Sequence, residues 1–156
     1  MTLALSLELF TRRLHNPNIG LIELQIDQTR LIDLTYIGKG ILYNPNLSRL
    51  SGTLELTRDW PKSDDEYLFL LSKTRFLFSY DVKTAVIEDA IFYGAVPVLM
   101  THLPMANMEE IRNAYNTELV NCCLSSEDLK DLNANNIQEF FAEFSIHRKK
   151  FIAYLE

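Results

Sequence analysis

The feature that most constrains this chain is an alternation of strand-like and helix-like segments that begins at Leu54. Residues 75–80 and 95–100 contain continuous apolar runs of the length of a strand that is buried on both faces. Such strands are typical of parallel sheets, because the connecting helices cover the sheet. The alternation therefore predicts an α/β fold: a Rossmann-like parallel sheet with right-handed crossovers and helices on both faces.

Capping and stop signals predict helices between these strands. Ser63 followed by Glu66 forms a capping box, so a helix is expected to begin there. A second helix is predicted over residues 83–93, and Gly94 is expected to end it. Further predicted elements are strands over residues 21–26, 31–37, 54–56 and 119–123, and helices over residues 108–115, 126–132 and 136–155. We expect a single domain over residues 1–156, with a core at 31–156 and an added element at 1–20.

The charge balance limits the kinds of partner that the chain can bind. Its formal net charge is −6 over 156 residues, which argues against a general nucleic-acid binder, because phosphate backbones select clustered Lys and Arg. The densest basic run is Arg148, Lys149 and Lys150, which we interpret as a solvated helix face. We therefore expect no nucleic acid as a partner.

The cysteines and the hydropathy pattern bear on the cellular location. Cys122 and Cys123 are adjacent, and a disulfide between neighbours is strained, so we expect buried reduced thiols in a cytoplasmic protein. No zinc-binding spacing is present. No apolar stretch is long enough for a transmembrane segment, and residues 1–10 lack the features of a signal peptide.

Ligands of an open parallel sheet bind at the carboxyl ends of its strands, close to helix N-termini. This rule selects the loops at residues 38–40, 57–63 and 79–84, and less strongly the loop at 101–104. Thr84 is expected in the first turn of its helix, where a phosphate would meet a hydroxyl and free amides, and Glu88 would share its face. The simpler alternative makes Asp81 a helix cap and Glu88 a surface acid. Trp60 is expected either to stack on a base or to pack as a partly buried side chain.

The segment from Tyr80 to Val98, YDVKTAVIEDAIFYGAVPV, resembles the donor-site signature of GT-B glycosyltransferases. In those transferases a strand, a Thr- or Ser-bearing turn, a helix with a Glu-Ala pair and a Gly-x-Pro-Val strand entry follow one another in this order. Residues 35–40, TYIGKG, are similar to the first strand and glycine loop of the same domain. The resemblance covers roughly residues 31–100 and implies the C-terminal domain, which binds the nucleotide-sugar donor.

The resemblance also implies roles for individual residues. Glu88 would bind the ribose of a nucleotide-diphosphate sugar, and Thr84 with neighbouring amides would hold the diphosphate. Lys39, with Arg58 as a second cation, would neutralise the leaving group without a metal ion. The implied donor- and nucleotide-binding set is Gly38, Lys39, Gly40, Arg58, Tyr80, Asp81, Thr84 and Glu88. The chain departs from the family pattern at Tyr80, where many members carry an acid, and at Asp89, which adds a charge.

The length of the chain sets a limit on its activity. GT-B enzymes of polysaccharide biosynthesis use two domains of this size, and the acceptor domain usually supplies the base. We therefore expect a fragment or subunit that lacks the acceptor domain, is inactive alone, and exposes an apolar surface for that domain or a partner chain. The leucines of residues 1–10 are candidates for this surface and could pair two copies into a homodimer. The alternative function is a non-catalytic Rossmann or flavodoxin-like binding or interaction module.

Overall fold

The computed structural model of the chain describes residues 30–100, 112, 113 and 115–155. Within them the chain forms a five-stranded sheet in which every paired strand is parallel. The strands are β1 (Ile32–Tyr36), β2 (Leu54–Leu56), β3 (Thr74–Ser79), β4 (Val96–Leu99) and β5 (Leu124–Ser125). The predicted α/β fold with a Rossmann-like parallel sheet is therefore confirmed.

Helices connect the strands as the alternation predicted. A 3-10 helix (Gly38–Leu42) follows β1, and the α-helices are α1 (Asp64–Ser72), α2 (Ala85–Phe92), α3 (Thr117–Asn121), α4 (Ser126–Leu129) and α5 (Ile137–Leu155). The Ser63 hydroxyl accepts the Glu66 amide at 3.2 Å and begins α1, as predicted. The Glu66 carboxylate accepts the Lys62 amide at 3.3 Å, instead of the Ser63 amide that a capping box would engage. No helix of the described residues is long and apolar enough to cross a lipid bilayer.

The two faces of the sheet are covered by different helices. Neighbouring residues of a strand point to opposite faces, so Phe76 and Leu77 of β3 separate the two layers. Leu77 packs in one buried cluster with Leu70 and Leu71 of α1. Phe76 belongs to the other cluster, and its ring lies 6.0 Å from that of Phe141 in α5. Helices therefore pack on both faces, which confirms the prediction.

The strand order β2-β1-β3-β4-β5 determines where a ligand can bind. This is the flavodoxin-like order, in which the chain turns to opposite sides after β1 and after β3. Tyr36 at the end of β1 is in register with Ser79 at the end of β3. The loops that follow these two strands therefore leave the sheet side by side, at the position where doubly wound sheets bind their ligands.

The predicted strand over residues 119–123 is wrong. Asn116 accepts the Leu119 amide at 2.7 Å and caps α3, and only Leu124–Ser125 pairs with β4. Leu119 and Cys122 are both buried, which is the three-residue spacing of a helix rather than the alternation of a strand. Both cysteines are free thiols; Cys122 is buried, as predicted, whereas Cys123 is only partly buried. Burial raises the pKa of Cys122 to about 12.

Other predicted elements lie wholly or partly outside the described residues. The strand over residues 21–26, the leucines of residues 1–10 and the loop at 101–104 are outside them. Of the helix predicted over residues 108–115, Arg112 and Asn113 are described and helical, whereas Tyr115 is described and lies in a bend, so the helix ends before it. Gly94 follows α2 with φ of 89° and ends it, as predicted.

Two arginines bind the carboxyl ends of α1 and α2. Arg30 donates to the carbonyls of Leu71 at 3.2 Å and Tyr93 at 2.6 Å. Arg148 of α5 donates to the carbonyl of Ile91 at 2.8 Å. These carbonyls lie at the helix ends, where Ile91 also accepts the Gly94 amide at 3.0 Å, so the guanidinium groups add charged donors there and complement the helix dipole. Arg148 is thus half-buried in packing, which corrects the prediction that the whole basic run is a solvated face.

The Arg148 bonds give a stability test. We expect Arg148→Met to lower the free energy of unfolding by about 1–3 kcal/mol, because two helix-end carbonyls lose a charged donor. Lys149→Met is the control, since Lys149 is exposed, and it should change the free energy by less than about 0.5 kcal/mol. Urea unfolding measures both, and equal losses would contradict the assigned role of Arg148.

Candidate functional site

One buried carboxylate joins the loops that follow β1 and β3. Oδ2 of Asp81 accepts the Lys39 amide at 3.0 Å, and Oδ1 accepts the Lys83 amide at 3.1 Å. The Tyr80 amide donates to the Tyr36 carbonyl at 2.8 Å and extends the pairing of the two strands. The two predicted loops are therefore held together around Asp81, whose side chain is almost fully buried.

The two predicted glycines are required by this close approach. Gly38 has φ of 49°, and a Cβ there would lie 2.7 Å from Oδ2 of Asp81 and 2.7 Å from the Tyr36 ring. A Cβ at Gly40 would lie 2.8 Å from Cβ of Tyr80. Any side chain at either position would push the 3-10 helix away from the loop after β3. The close packing of the two loops therefore explains why glycine occupies both positions, whether or not a ligand binds there.

Helix α2 begins later than predicted. Thr84 is its N-cap, and its Oγ1 accepts the Val86 amide at 3.3 Å, so it does not lie in the first turn. Asp81, which the simpler alternative makes the cap, accepts the Lys83 amide instead. Thr84 and the exposed Glu88 are four residues apart and share one face of α2.

The backbone amides at this edge are largely engaged within the chain. The amides of Lys39 and Lys83 donate to Asp81, and the Thr84 amide donates to the hydroxyl of Tyr115 at 2.8 Å. A bound phosphate would therefore not find these three amides free, contrary to the expectation from the sequence. Groups at this edge that could meet an anion include the exposed Lys39 and Lys83 side chains and the hydroxyl proton of Thr84.

Tyr115 is the residue at this edge that the sequence did not reveal. Burial raises the pKa of its phenol, and the charges of Glu88 and Asp81 raise it further. The phenol is therefore neutral at pH 7 and lies close to the Thr84–Glu88 face. Tyr115 is 31 residues beyond Thr84 and stood at the end of a predicted helix, so no local pattern indicated this contact.

A cavity of about 260 Å³ opens beside these loops. It lies between the loop at residues 57–63 and the first turn of α2, and three aromatic side chains form much of its wall: Tyr36, Trp60 and Tyr67. Arg58 and Lys62 also line it, and both residues are exposed. The cavity thus combines an aromatic wall with a charged rim.

Hydrogen bonds fix the walls of the cavity. Thr57 and Trp60 exchange backbone bonds of 3.0 and 3.4 Å, which hold the turn that carries the indole. The Tyr67 hydroxyl donates to Asp89 at 2.9 Å. Burial raises the pKa of Tyr67, and the Asp89 carboxylate raises it further, so the phenol keeps its proton for this bond. Asp89, the departure from the GT-B pattern, therefore holds a cavity wall in place.

The predicted site residues lie at three places along the sheet edge. Val86 lines the cavity, and Glu88 lies two residues further along α2, which rotates its side chain about 200° around the helix. Arg58 and the cavity therefore lie on one flank of α2, and Glu88 lies on the other. Between them are the residues that surround Asp81, which are Gly38, Lys39, Gly40 and Tyr80, and Thr84 lies on the Glu88 face of α2.

Comparison with protein-family models, with curated proteins and with solved structures gives no match. Within the described part of the chain, no group of three or more His, Cys, Asp or Glu residues is arranged to hold a metal ion. A functional interpretation therefore depends on the arrangement of side chains at the sheet edge.

The role of Asp81 can be tested by removing its charge. We expect Asp81→Asn to lower the free energy of unfolding by about 1.5–3 kcal/mol, because the amide nitrogen cannot accept the second backbone bond. The matched control is Asp59→Asn, since Asp59 is exposed. Urea unfolding of both variants at pH 7 is the measurement, and an unchanged midpoint for Asp81→Asn would show that the carboxylate does not hold the loops.

Proposed function

We propose that this chain is the nucleotide-diphosphate-sugar-binding domain of a GT-B type glycosyltransferase. The observation that carries the proposal is the convergence of the predicted donor loops at the carboxyl edge of a parallel sheet, beside a cavity of the size of one ring. Doubly wound sheets bind nucleotides at this edge, and small-molecule sites combine aromatic walls with a few polar groups.

The diphosphate is proposed to lie over the loops that Asp81 joins. Lys39 would supply a positive charge and Thr84 a hydroxyl donor, at the positive end of the α2 dipole. Glu88, on the same face as Thr84, would accept hydrogen bonds from the ribose hydroxyls. Because the proposed contacts to the diphosphate and the ribose are made by protein side chains, binding is proposed to be metal-independent.

The acceptor domain is proposed to dock next to this site. The 3-10 helix after β1 exposes Ile41 and Leu42 at its end, Tyr43 follows it and is also exposed, and Leu42 is 76% exposed. Apolar side chains exposed beside a ligand edge are suited to contact with another domain. Glycosyl transfer needs an acceptor and a base facing the donor, so the docked domain is proposed to supply them, and no catalytic residue is assigned among the described residues.

The second candidate is a non-catalytic flavodoxin-like binding or interaction module. The strand order favours it, because β2-β1-β3-β4-β5 is the flavodoxin-like order rather than that of dinucleotide-binding domains. The engagement of three edge amides by Asp81 and Tyr115 also favours it. Nucleotide binding separates the two candidates, since only the first requires it.

We expect weak binding of a nucleoside diphosphate that is unchanged by magnesium. Calorimetric titration with the diphosphates of uridine, guanosine, adenosine and thymidine, with and without Mg²⁺, measures this. Lys39→Met should weaken binding about 10-fold or more by removing a charged donor, whereas Lys149→Met should have no effect. If none of the four binds at millimolar concentration, the proposed function is wrong.

Glu88→Ala should affect ligand affinity much more than stability. Loss of charge-assisted bonds to a ribose costs about 1.5–3 kcal/mol of binding. An exposed acid contributes about 1 kcal/mol or less to folding, and Glu143→Ala provides the control for this. Calorimetry and thermal melting together decide the role: a lower melting temperature with unchanged affinity would make Glu88 a structural acid.

A further inference from the structure

Three features follow one another along the carboxyl edge of the sheet. Glu88 lies on one flank of α2, and the loops joined by Asp81 occupy the centre. The aromatic cavity lies on the other flank, where Val86 contributes to its wall. The Tyr36 ring lines the cavity and stands close to Gly38, so the centre and the cavity share a wall.

A nucleotide-diphosphate sugar has its parts in the same order. The ribose and the sugar are attached to opposite ends of the diphosphate, so a ribose at Glu88 and a diphosphate over Lys39 direct the sugar towards the cavity. We infer that the aromatic cavity receives the glycosyl ring of the donor. The inference rests on the proposed function, since it takes the positions of ribose and diphosphate from it.

The size of the cavity agrees with a single ring. Its volume is about 260 Å³, whereas pockets for whole drug-sized ligands span about 300–1,000 Å³. The cavity is therefore too small for an entire nucleotide sugar, but it has room for one six-membered ring. The remainder of the donor would lie along the open edge over the central loops.

The chemistry of the lining also suits a sugar. A pyranose carries C–H groups on its faces and hydroxyls around its rim, and hydroxyls both donate and accept hydrogen bonds. Trp60 and Tyr36 line the cavity with apolar aromatic rings. The Tyr67 hydroxyl donates its proton to the Asp89 carboxylate, so its oxygen can only accept a hydrogen bond from a ligand in the cavity. At the rim, Lys62 donates and Asp64 accepts, so both kinds of partner are present.

Trp60 reports directly on this cavity because it is the single tryptophan of the chain. The probes are a matched pair: the nucleoside diphosphate that binds in calorimetry, and its glucose conjugate. We expect both to bind, but only the conjugate to change the Trp60 emission on saturation. If the free diphosphate changes the Trp60 emission as much as the conjugate does, the base and not the sugar occupies the cavity. If the conjugate saturates the protein without changing the emission, the cavity stays empty. Either result overturns the inference while the proposed function stands.

A rim variant provides a second readout that does not depend on fluorescence. Lys62→Met should lower the affinity for the glucose conjugate about 3- to 10-fold and leave that for the free diphosphate unchanged. Asp59→Asn is the control, because Asp59 is an exposed neighbour that does not line the cavity. Equal affinities of wild type and Lys62→Met for the conjugate would overturn the inference. Failure of both probes to bind the wild type would instead overturn the proposed function.

Discussion

The arrangement of the loops at the carboxyl edge of the sheet depends on the hydrogen bonds that the Asp81 carboxylate accepts. It accepts one amide from the loop after β1 and another from the loop after β3, and so joins the two strands at the switch point of the sheet. A buried charge with two backbone donors is stable, whereas the same charge without them would not remain buried. The positions of Lys39, Thr84 and the 3-10 helix all follow from this contact.

The same carboxylate also limits how the edge can bind an anion. Phosphate-binding loops usually offer free backbone amides, but here the amides of Lys39 and Lys83 are engaged by the chain itself. Binding of a diphosphate would therefore depend on side chains, with Lys39, Lys83 and Thr84 among the available groups. Weak, metal-independent binding is the behaviour that this arrangement favours. The aromatic cavity on the other side of Tyr36 adds apolar contact area that the central loops lack.

Local signals in the sequence predicted the fold, but they did not predict contacts between residues that are far apart in the chain. The helix cap at Ser63, the stop at Gly94 and the buried strand around Phe76 are patterns of a few residues, and the structure confirms them, although Glu66 binds the Lys62 amide rather than closing the capping box. The strand expected over residues 119–123 was wrong, because its apolar residues also fit one face of a helix and Asn116 caps that helix. Tyr115 could not be predicted, since it meets Thr84 from 31 residues away.

The central claim is that the edge between β1 and β3 binds the diphosphate of a nucleotide. Amide chemical-shift mapping during titration with a nucleoside diphosphate tests this most directly, because it locates the ligand without altering the protein. The largest shifts are expected at residues 38–40 and 82–88, which surround Asp81 and the first turn of α2. Shifts confined to other residues, or no shifts at saturating nucleotide, would contradict the account.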